Sequence, residues 1–158
     1  MSEASEGREG ALATNRRARH EYFVIERFEA GIALRGTEVK SIRAGEVSLQ
    51  ESFVRVEQGR LVVEGMHVQP YRHGNVHNHD PVRPRQLLAH RAEIARLAGQ
   101  VSLKGYALVP LRLTLRKGHI KLEIGVCRGK QQADKRETLR RRTADREAER
   151  AIAASRRR

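Results

Sequence analysis

The sequence predicts a mainly β domain with helices: about six short antiparallel strands closed into a small barrel, two flanking helices, and a basic C-terminal tail. Three observations carry this. Leu111, Leu113 and Leu115 alternate with Arg112, Thr114 and Arg116; after Lys117-Gly118, Ile120, Leu122 and Ile124 alternate with Lys121 and Glu123. Period-two alternation across a glycine turn marks a hairpin with one apolar and one charged face. A second pair of short apolar runs, Phe53 to Glu57 and Arg60 to Glu64, flanks Gln58-Gly59. Beyond Gly129 the only large apolar residues are Leu139 and Ile152. Short strands hide their edges best by closing on themselves.

Charge narrows the function. The chain has 158 residues, about one domain with extensions, and a formal net charge of +13. Such an excess points to a polyanion, and nucleic acid comes first because neutralised phosphates release counterions. No strongly apolar helix face argues for a membrane surface. One cysteine, Cys127, cannot make an internal disulfide, which suits a reducing cytoplasm. No run approaches transmembrane length, and the first twenty residues lack an apolar signal core. The expectation is a cytoplasmic, RNA- or DNA-binding protein.

The elements follow in order. Residues 1–13 are rich in Ser, Glu and Gly and are expected to be disordered. Asn15 to His20 is a basic run that suits phosphate contact or a solubilising flank. Glu21 to Leu34 is β-patterned, with Tyr22 and Val24 facing one way and Phe23 and Ile25 the other. Gly31 suggests a bulge or bend there, and Gly36 ends the strand. Thr37 caps a short helix that Gly45 stops, with Glu38 at its positive end. Val39 and Ile42 cover the sheet, and Lys40 and Arg43 face outward.

Phe53 to Val68 is a hairpin ended by Pro70. The loop from Tyr71 to Asp80 holds His73, His77 and His79, with His67 just before it. Zinc sites usually show tighter paired spacing and a second distant pair, so a polar loop is the better reading and no metal is expected. Pro84 to Ala98 is read as the longest helix. Leu87, Ile94 and Leu97 are its core stripe, Leu88 is partly exposed, Gly99 is the stop, and Arg83, Arg85, Arg91 and Arg96 keep the outer side basic. In the last hairpin Arg112, Arg116 and Lys121 form a basic wall, Pro110 sits at an edge or strand start, and Cys127 is core or edge rather than nucleophile.

The tail, Gly129 to Arg158, carries eleven Lys and Arg against five acids, a net of +6. It cannot bury enough surface to offset its ordering entropy and is expected to be unstructured in the free chain. Yet Asp134 to Glu137 fits a capping box, Glu137 and Arg141 are a favourable pair, and Arg142, Arg146 and Arg150 repeat every four residues. A helix would line these arginines on one side, ready for a polyanion. There is no phosphate-cradling Gly-Lys-Ser/Thr loop, no Ser/His or Cys/His arrangement in a recognisable context, and no paired carboxylates in an apolar setting. The chain therefore reads as a binding protein without cofactor rather than an enzyme.

The residues Asn15-Arg16-Arg17-Ala18-Arg19-His20-Glu21-Tyr22-Phe23, Phe28 to Gly31, Gly36-Thr37-Glu38-Val39-Lys40-Ser41-Ile42-Arg43-Ala44-Gly45, Asn78 to Leu88, and Gly129-Lys130 with Asp134-Lys135-Arg136-Glu137 resemble the SsrA-binding protein (small protein B) family. The resemblance runs from about Leu12 to Arg150, with the motifs in order. It implies an oligonucleotide/oligosaccharide-binding (OB-fold-like) barrel over residues 14–128 that grips the tRNA-like domain of transfer-messenger RNA. It implies a tail over residues 129–158 that folds as a helix in the empty message channel of the small ribosomal subunit, at the decoding centre. It places RNA contacts on Asn15, Glu29 and Leu88. Arg16, Arg17, Arg19, Lys40 and Arg43 are then phosphate-holding cations, and the ribosome-binding tail residues are Gly129, Lys130, Asp134, Lys135, Arg136, Arg140, Arg142 and Arg146. Elongation factor Tu and alanyl-tRNA synthetase are implied as indirect partners of a monomer. Two positions depart from the family pattern: Gln131 where a second Lys is usual, and Ala133 where His or an aromatic is common. Rival readings are a general RNA-binding or ribosome-associated module, and a metal-dependent nuclease using His73, His77, His79 and Asp80.

Overall fold

The computed structural model describes residues 11–72, 78–130 and 132–156. Along the chain run β1 (Ala11–Thr14), α1 (Arg16–Glu21), β2 (Tyr22–Ile32), α2 (Gly36–Arg43), β3 (Val47–Ser48), β4 (Phe53–Glu57), β5 (Arg60–Glu64), β6 (His67–Val68), β7 (Arg85–Leu88), α3 (Arg91–Lys104), β8 (Ala107–Arg116), β9 (His119–Gly129) and α4 (Gln132–Arg156). Six strands close into a ring through antiparallel pairings in the order β8, β4, β5, β7, β2, β9 and back to β8. β1 adds to β8 outside the ring, and β3 with β6 makes a separate ribbon. The two hairpins expected from alternation are present. At their tips Gln58-Gly59 and Lys117-Gly118 each place two consecutive residues at positive φ, the turn whose twist matches the strands it joins.

One strand of the ring comes from an unexpected place. The stretch expected as a helix over 84–98 begins instead as β7, and α3 runs from Arg91 to Lys104, closed by Gly105 at φ 67°. Gly99 lies inside α3 rather than at its end. Within β7 burial alternates: Arg85 and Leu87 point inward, Gln86 and Leu88 outward. Leu87 is 2 % exposed and Leu88 is 57 % exposed. Four residues cannot display a period clearly, and pairing of Leu87 with Leu61 and Ile32 overrides local propensity. Only Ile94 and Leu97 of the expected stripe are helical core.

Arg85, expected on a basic outer side, is fully buried. Its guanidinium meets the equally buried Glu38 carboxylate, which also takes Arg83 and accepts from the Arg35 N–H at 2.8 Å. Arg85 Nη1 donates to the Met66 carbonyl at 2.8 Å and to the Arg83 carbonyl at 3.1 Å. Glu38 is therefore the capping acceptor of α2, whose N-cap is Arg35, not Thr37. Thr37 pairs instead with His79 Nδ1 at 2.9 Å.

Other local expectations shift for steric reasons. The bulge in β2 falls between Val24 and Glu26, not at Gly31. Gly31 matters because Leu88 crosses it: a Cβ there would lie 3.3 Å from Leu88 Cβ. Pro110 lies inside β8, at a bulge between Pro110 and Arg112 where β8 passes from β4 to β1. A bulge tolerates a residue without an N–H. Leu111 thereby joins Val109, Cys127 and Ala18 in a small second core under α1. Burial there pushes the Cys127 thiol up to about 11, so it stays protonated.

Of the N-terminal residues 1–13, the last three belong to β1, where Leu12 and Ala13 pack on the main core; residues 1–10 lie outside the described residues. The tail is helical over Gln132–Arg156, starting two residues before the expected cap Asp134, and Leu139 and Ile152 are half-exposed on it.

Glu38→Gln should lower stability by about 3–5 kcal/mol at neutral pH in urea titrations, because Arg85 is left buried without a counter-charge. Burial pushes the Glu38 carboxyl up, but the hydrogen bonds from Arg83, the Arg35 N–H and Arg85 outweigh it and hold it below the usual carboxylate value. A folded-state pKa below the unfolded one gives stability above the carboxylate range that is lost as pH falls through it. The gap between wild type and Glu38→Gln should therefore narrow in acid; a gap constant down to the acid limb contradicts the assignment. Neighbouring leucines should behave oppositely: Leu87→Ala costs about 2–5 kcal/mol, and Leu88→Ala stays within about 0.5 kcal/mol.

Candidate nucleic-acid interface

The residues expected to meet RNA fall into two groups at opposite ends of β2. The first surrounds α1. Asn15 caps this helix: its Oδ1 accepts from the Ala18 N–H at 3.3 Å, and its Nδ2 donates to the Pro110 carbonyl at 2.9 Å. Its own N–H donates to the Leu111 carbonyl at 2.7 Å. Asn15 is 3 % exposed, so the expected contact with a base edge is not accessible in this conformation. Its observed work is to seat α1 on the β8 bulge. Around the buried Ala18, that seating turns Arg16, Arg17 and Arg19 outward. Arg17 pairs with Glu21 at 2.8 Å, and its pKa is raised by that hydrogen bond.

The root of the tail is tied to the same end. Gly129 ends β9 opposite Tyr22. The Lys130 N–H donates to the Glu21 carbonyl at 2.8 Å, and its Nζ donates to the Arg19 carbonyl at 3.0 Å. Lys130 and Arg128 lie 4.8 and 4.9 Å from the centre of the Phe23 ring, within cation–π range. Nothing in the local sequence singles out Arg128 or Phe23. They are cross-strand partners more than a hundred residues apart, and only the β2–β9 register reveals them.

The second group lies at the far end of β2. Phe23 and Gly31 are eight residues apart, about 26 Å at ordinary strand rise. Here Leu88 stands exposed over Gly31, beside a shallow groove of 240 Å³ lined by Ile32, Leu34, Val39, His119 and Lys121 among others. Glu29 is exposed two residues along β2 and pairs with Arg116 at 3.3 Å. Lys40 and Arg43 project from α2, Lys40 over the Tyr71 ring at 5.2 Å. The basic wall of Arg112, Arg116 and Lys121 is partly neutralised, since Arg112 donates to Glu123 at 2.7 Å.

Along α4, Arg136, Arg140, Arg142 and Arg146 are exposed; Asp134 and Lys135 lie in its first turn. The histidine loop is only partly within the described residues, with His73 and His77 outside them. His79 is buried, its Nε2 donating to the Val68 carbonyl at 2.9 Å and its Nδ1 accepting from Thr37, which leaves no ring nitrogen for a metal. Among the described residues no group of three His, Cys, Asp or Glu is placed to hold a metal ion, and no helix is long and apolar enough to cross a membrane.

An apolar residue and a carboxylate ringed by cations at one end, and a basic helix carrying the tail at the other, suit a structured polyanion contacted at two places. The comparisons with known proteins agree in extent. The family described as SmpB protein matches residues 12–154. The SsrA-binding protein of Bacillus subtilis is 52 % identical over 141 residues, covering 89 % of this chain and 90 % of that one. That of Shouchella clausii is 50 % identical over 152 residues, 96 % of each. A chain from the solved structure "tmRNA-SmpB: a journey to the center of the bacterial ribosome" superposes with a TM-score of 0.65 at 48 % identity, covering 81 % of this chain and 94 % of that one. The ring, the basic helix and the tail thus lie in a chain that belongs to the SmpB family.

Proposed function

We propose that the protein binds transfer-messenger RNA and delivers it to stalled ribosomes for trans-translation, which frees the ribosome and tags the unfinished peptide. The carrying observation is the family match from residue 12 to residue 154, which takes in the ring, both cationic ends and nearly all of α4. Relatives named for binding SsrA RNA, and a solved relative named with tmRNA and the bacterial ribosome, support the same reading.

The ring acts as the RNA-binding body, standing in for the lower half of a tRNA against the tRNA-like domain. Arg16, Arg17, Arg19, Lys40 and Arg43 hold phosphates, which positions the RNA without reading it. Leu88 meets an unpaired base or ribose, the parts of RNA open to side chains, and Glu29 lies in the same contact. Asn15 contributes by fixing α1. The tail, with Gly129 and Lys130 at its root and Asp134, Lys135, Arg136, Arg140, Arg142 and Arg146 along it, enters the message channel of the small subunit at the decoding centre. Message phosphate and tail compete for one volume, so the tail reports vacancy rather than any codon.

An isolated helix with no buried face is marginal in water. Binding to ribosomal RNA supplies what the free tail lacks: phosphates for its arginines and relief of their mutual repulsion. The protein itself performs no covalent step. Elongation factor Tu and alanyl-tRNA synthetase act on the RNA it carries, and it works as a monomer in the cytoplasm.

Two measurements test this. Equilibrium binding to the tRNA-like domain, against ordinary tRNA of equal length across a salt series, should show a preference that survives moderate salt. Equal affinities that collapse together would leave only counterion release and a general RNA-binding module. A chain truncated after Gly129 should bind this RNA within about threefold of the full chain, since phosphate contacts act nearly independently, yet fail to support peptide tagging. Loss of RNA binding on truncation would overturn the division between ring and tail.

A further inference from the structure

On the face of the sheet made by β2, β9 and β8, the carboxylates need explaining. The registers Glu29 opposite Glu123, Gly31 opposite Lys121, and Glu123 opposite Arg112 line up Arg27, Glu29, Lys121, Glu123, Arg112 and Arg116. Leu88 joins them from β7, opposite Gly31. A carboxylate on a surface that meets phosphate repels it. Yet both carboxylates here are engaged with guanidiniums. Arg116 Nε lies 3.3 Å from Glu29 Oε2. Arg112 Nε donates to Glu123 Oε2 at 2.7 Å, and Arg27 Nη1 lies 3.6 Å from the other oxygen.

These pairs do little for stability. Arg116 is 60 % exposed, and exposed ion pairs contribute almost nothing once solvent and side-chain entropy are counted. Their effect is orientation. An arginine free in water samples many rotamers, and a carboxylate on Nε holds the planar fork in one of them. With Nε turned toward the Glu29 carboxylate, the two Nη groups remain for an acceptor, and a phosphate oxygen pair fits that fork.

We infer that Arg116 is a phosphate-binding residue of this face and that Glu29 is its positioning residue, the partner being the backbone of a structured RNA held beside Leu88. This rests on the RNA-binding function proposed above, and it changes the role of Glu29: it acts through Arg116 rather than on a base. Arg116 is the last β8 residue before the Lys117-Gly118 turn, paired across the hairpin with His119, so its place on this face is fixed by the β8–β9 register.

The test is a double-mutant cycle on the full chain, read as affinity for the tRNA-like domain of transfer-messenger RNA across a salt series. Arg116→Ala should weaken binding about tenfold and flatten the log–log salt slope by about 0.7 to 0.9, the signature of one lost phosphate contact. Glu29→Ala should weaken binding with Arg116 present, and change it less than about twofold when Arg116 is already Ala, because interacting residues are non-additive. Arg116→Lys should restore the salt slope without the full affinity, since a point charge replaces the oriented fork. Melting temperatures should stay near wild type for all variants; a fall confined to Glu29→Ala would make that residue structural and overturn the assignment. Additive losses would show Glu29 touching RNA by itself, and an Arg116→Ala chain with wild-type affinity and slope would remove the phosphate site; either overturns the inference. Equal wild-type affinity for ordinary tRNA would instead sink the functional proposal, and the cycle would still be read on whichever RNA binds.

Discussion

The buried pair of Glu38 and Arg85 is the constraint on which the rest of the structure depends. Both side chains are wholly removed from water. Bringing two charges inside costs several kcal/mol each, and only close pairing with saturated hydrogen bonding offsets it. The fold supplies that saturation from four directions: α2 through Glu38, β7 through Arg85, the chain between them through Arg83, and carbonyls of Met66, Asp80 and Pro81. One junction therefore fixes where β7 enters the ring, where α2 starts, and how the chain after β6 is folded back. Lys40 and Arg43 leave from the helix that it anchors, and Leu88 from the strand. The exposed end of the site is thus held by a charged centre that no solvent or ligand reaches.

The opposite end is held differently. There α1 rests on a small apolar core, and the bulge in β8 supplies both the residue that fills it, Leu111, and the carbonyls that receive Asn15. The two ends of the ring are thus anchored for unlike reasons, one ionic and one steric. On the β2–β9–β8 face of the ring Arg27, Arg112 and Arg116 are paired with carboxylates, whereas the tail has more than twice as many cations as acids. A paired guanidinium keeps its direction, and cations in excess of the acids around them keep their attraction at distance. The body suits contact with a defined shape, and the tail suits capture of diffuse negative charge.

How far the sequence discloses this depends on how each element announces itself. The hairpins of β4–β5 and β8–β9 are legible because alternation over five or more residues on both sides of a turn is compatible with little else. The small helix α2 is legible from Gly36, Thr37 and Gly45, although its cap is Arg35. β7 is not, since a four-residue strand whose inward residues are Arg85 and Leu87 has the same letters as the first turn of a basic amphipathic helix. Arg85 reads as an outward residue for the same reason: a buried ion pair leaves no apolar trace in the sequence, and its partner is forty-seven residues away. Lys40, Arg43, Leu88 and the tail arginines lie where they are expected, on the surface. Asn15 is seated as the buried cap of α1, a role the sequence does not separate from that of a base-reading amide, because both are the same residue type in the same local setting. Arg128, Phe23 and the pairing of Glu29 with Arg116 depend on strand register, which no single segment encodes.

The anchoring of Lys130 to α1 has a mechanical corollary. Because two hydrogen bonds pin the residue from which the tail departs, any change in the tail's own length is expressed at its distal end. As a helix the 25 residues from Gln132 to Arg156 span about 37 Å. Drawn out, the same residues reach about 80 Å. Passing from one form to the other changes its reach by roughly 45 Å, taken up entirely away from the ring, so folding of the tail into a helix draws its far end inward while the body stays still.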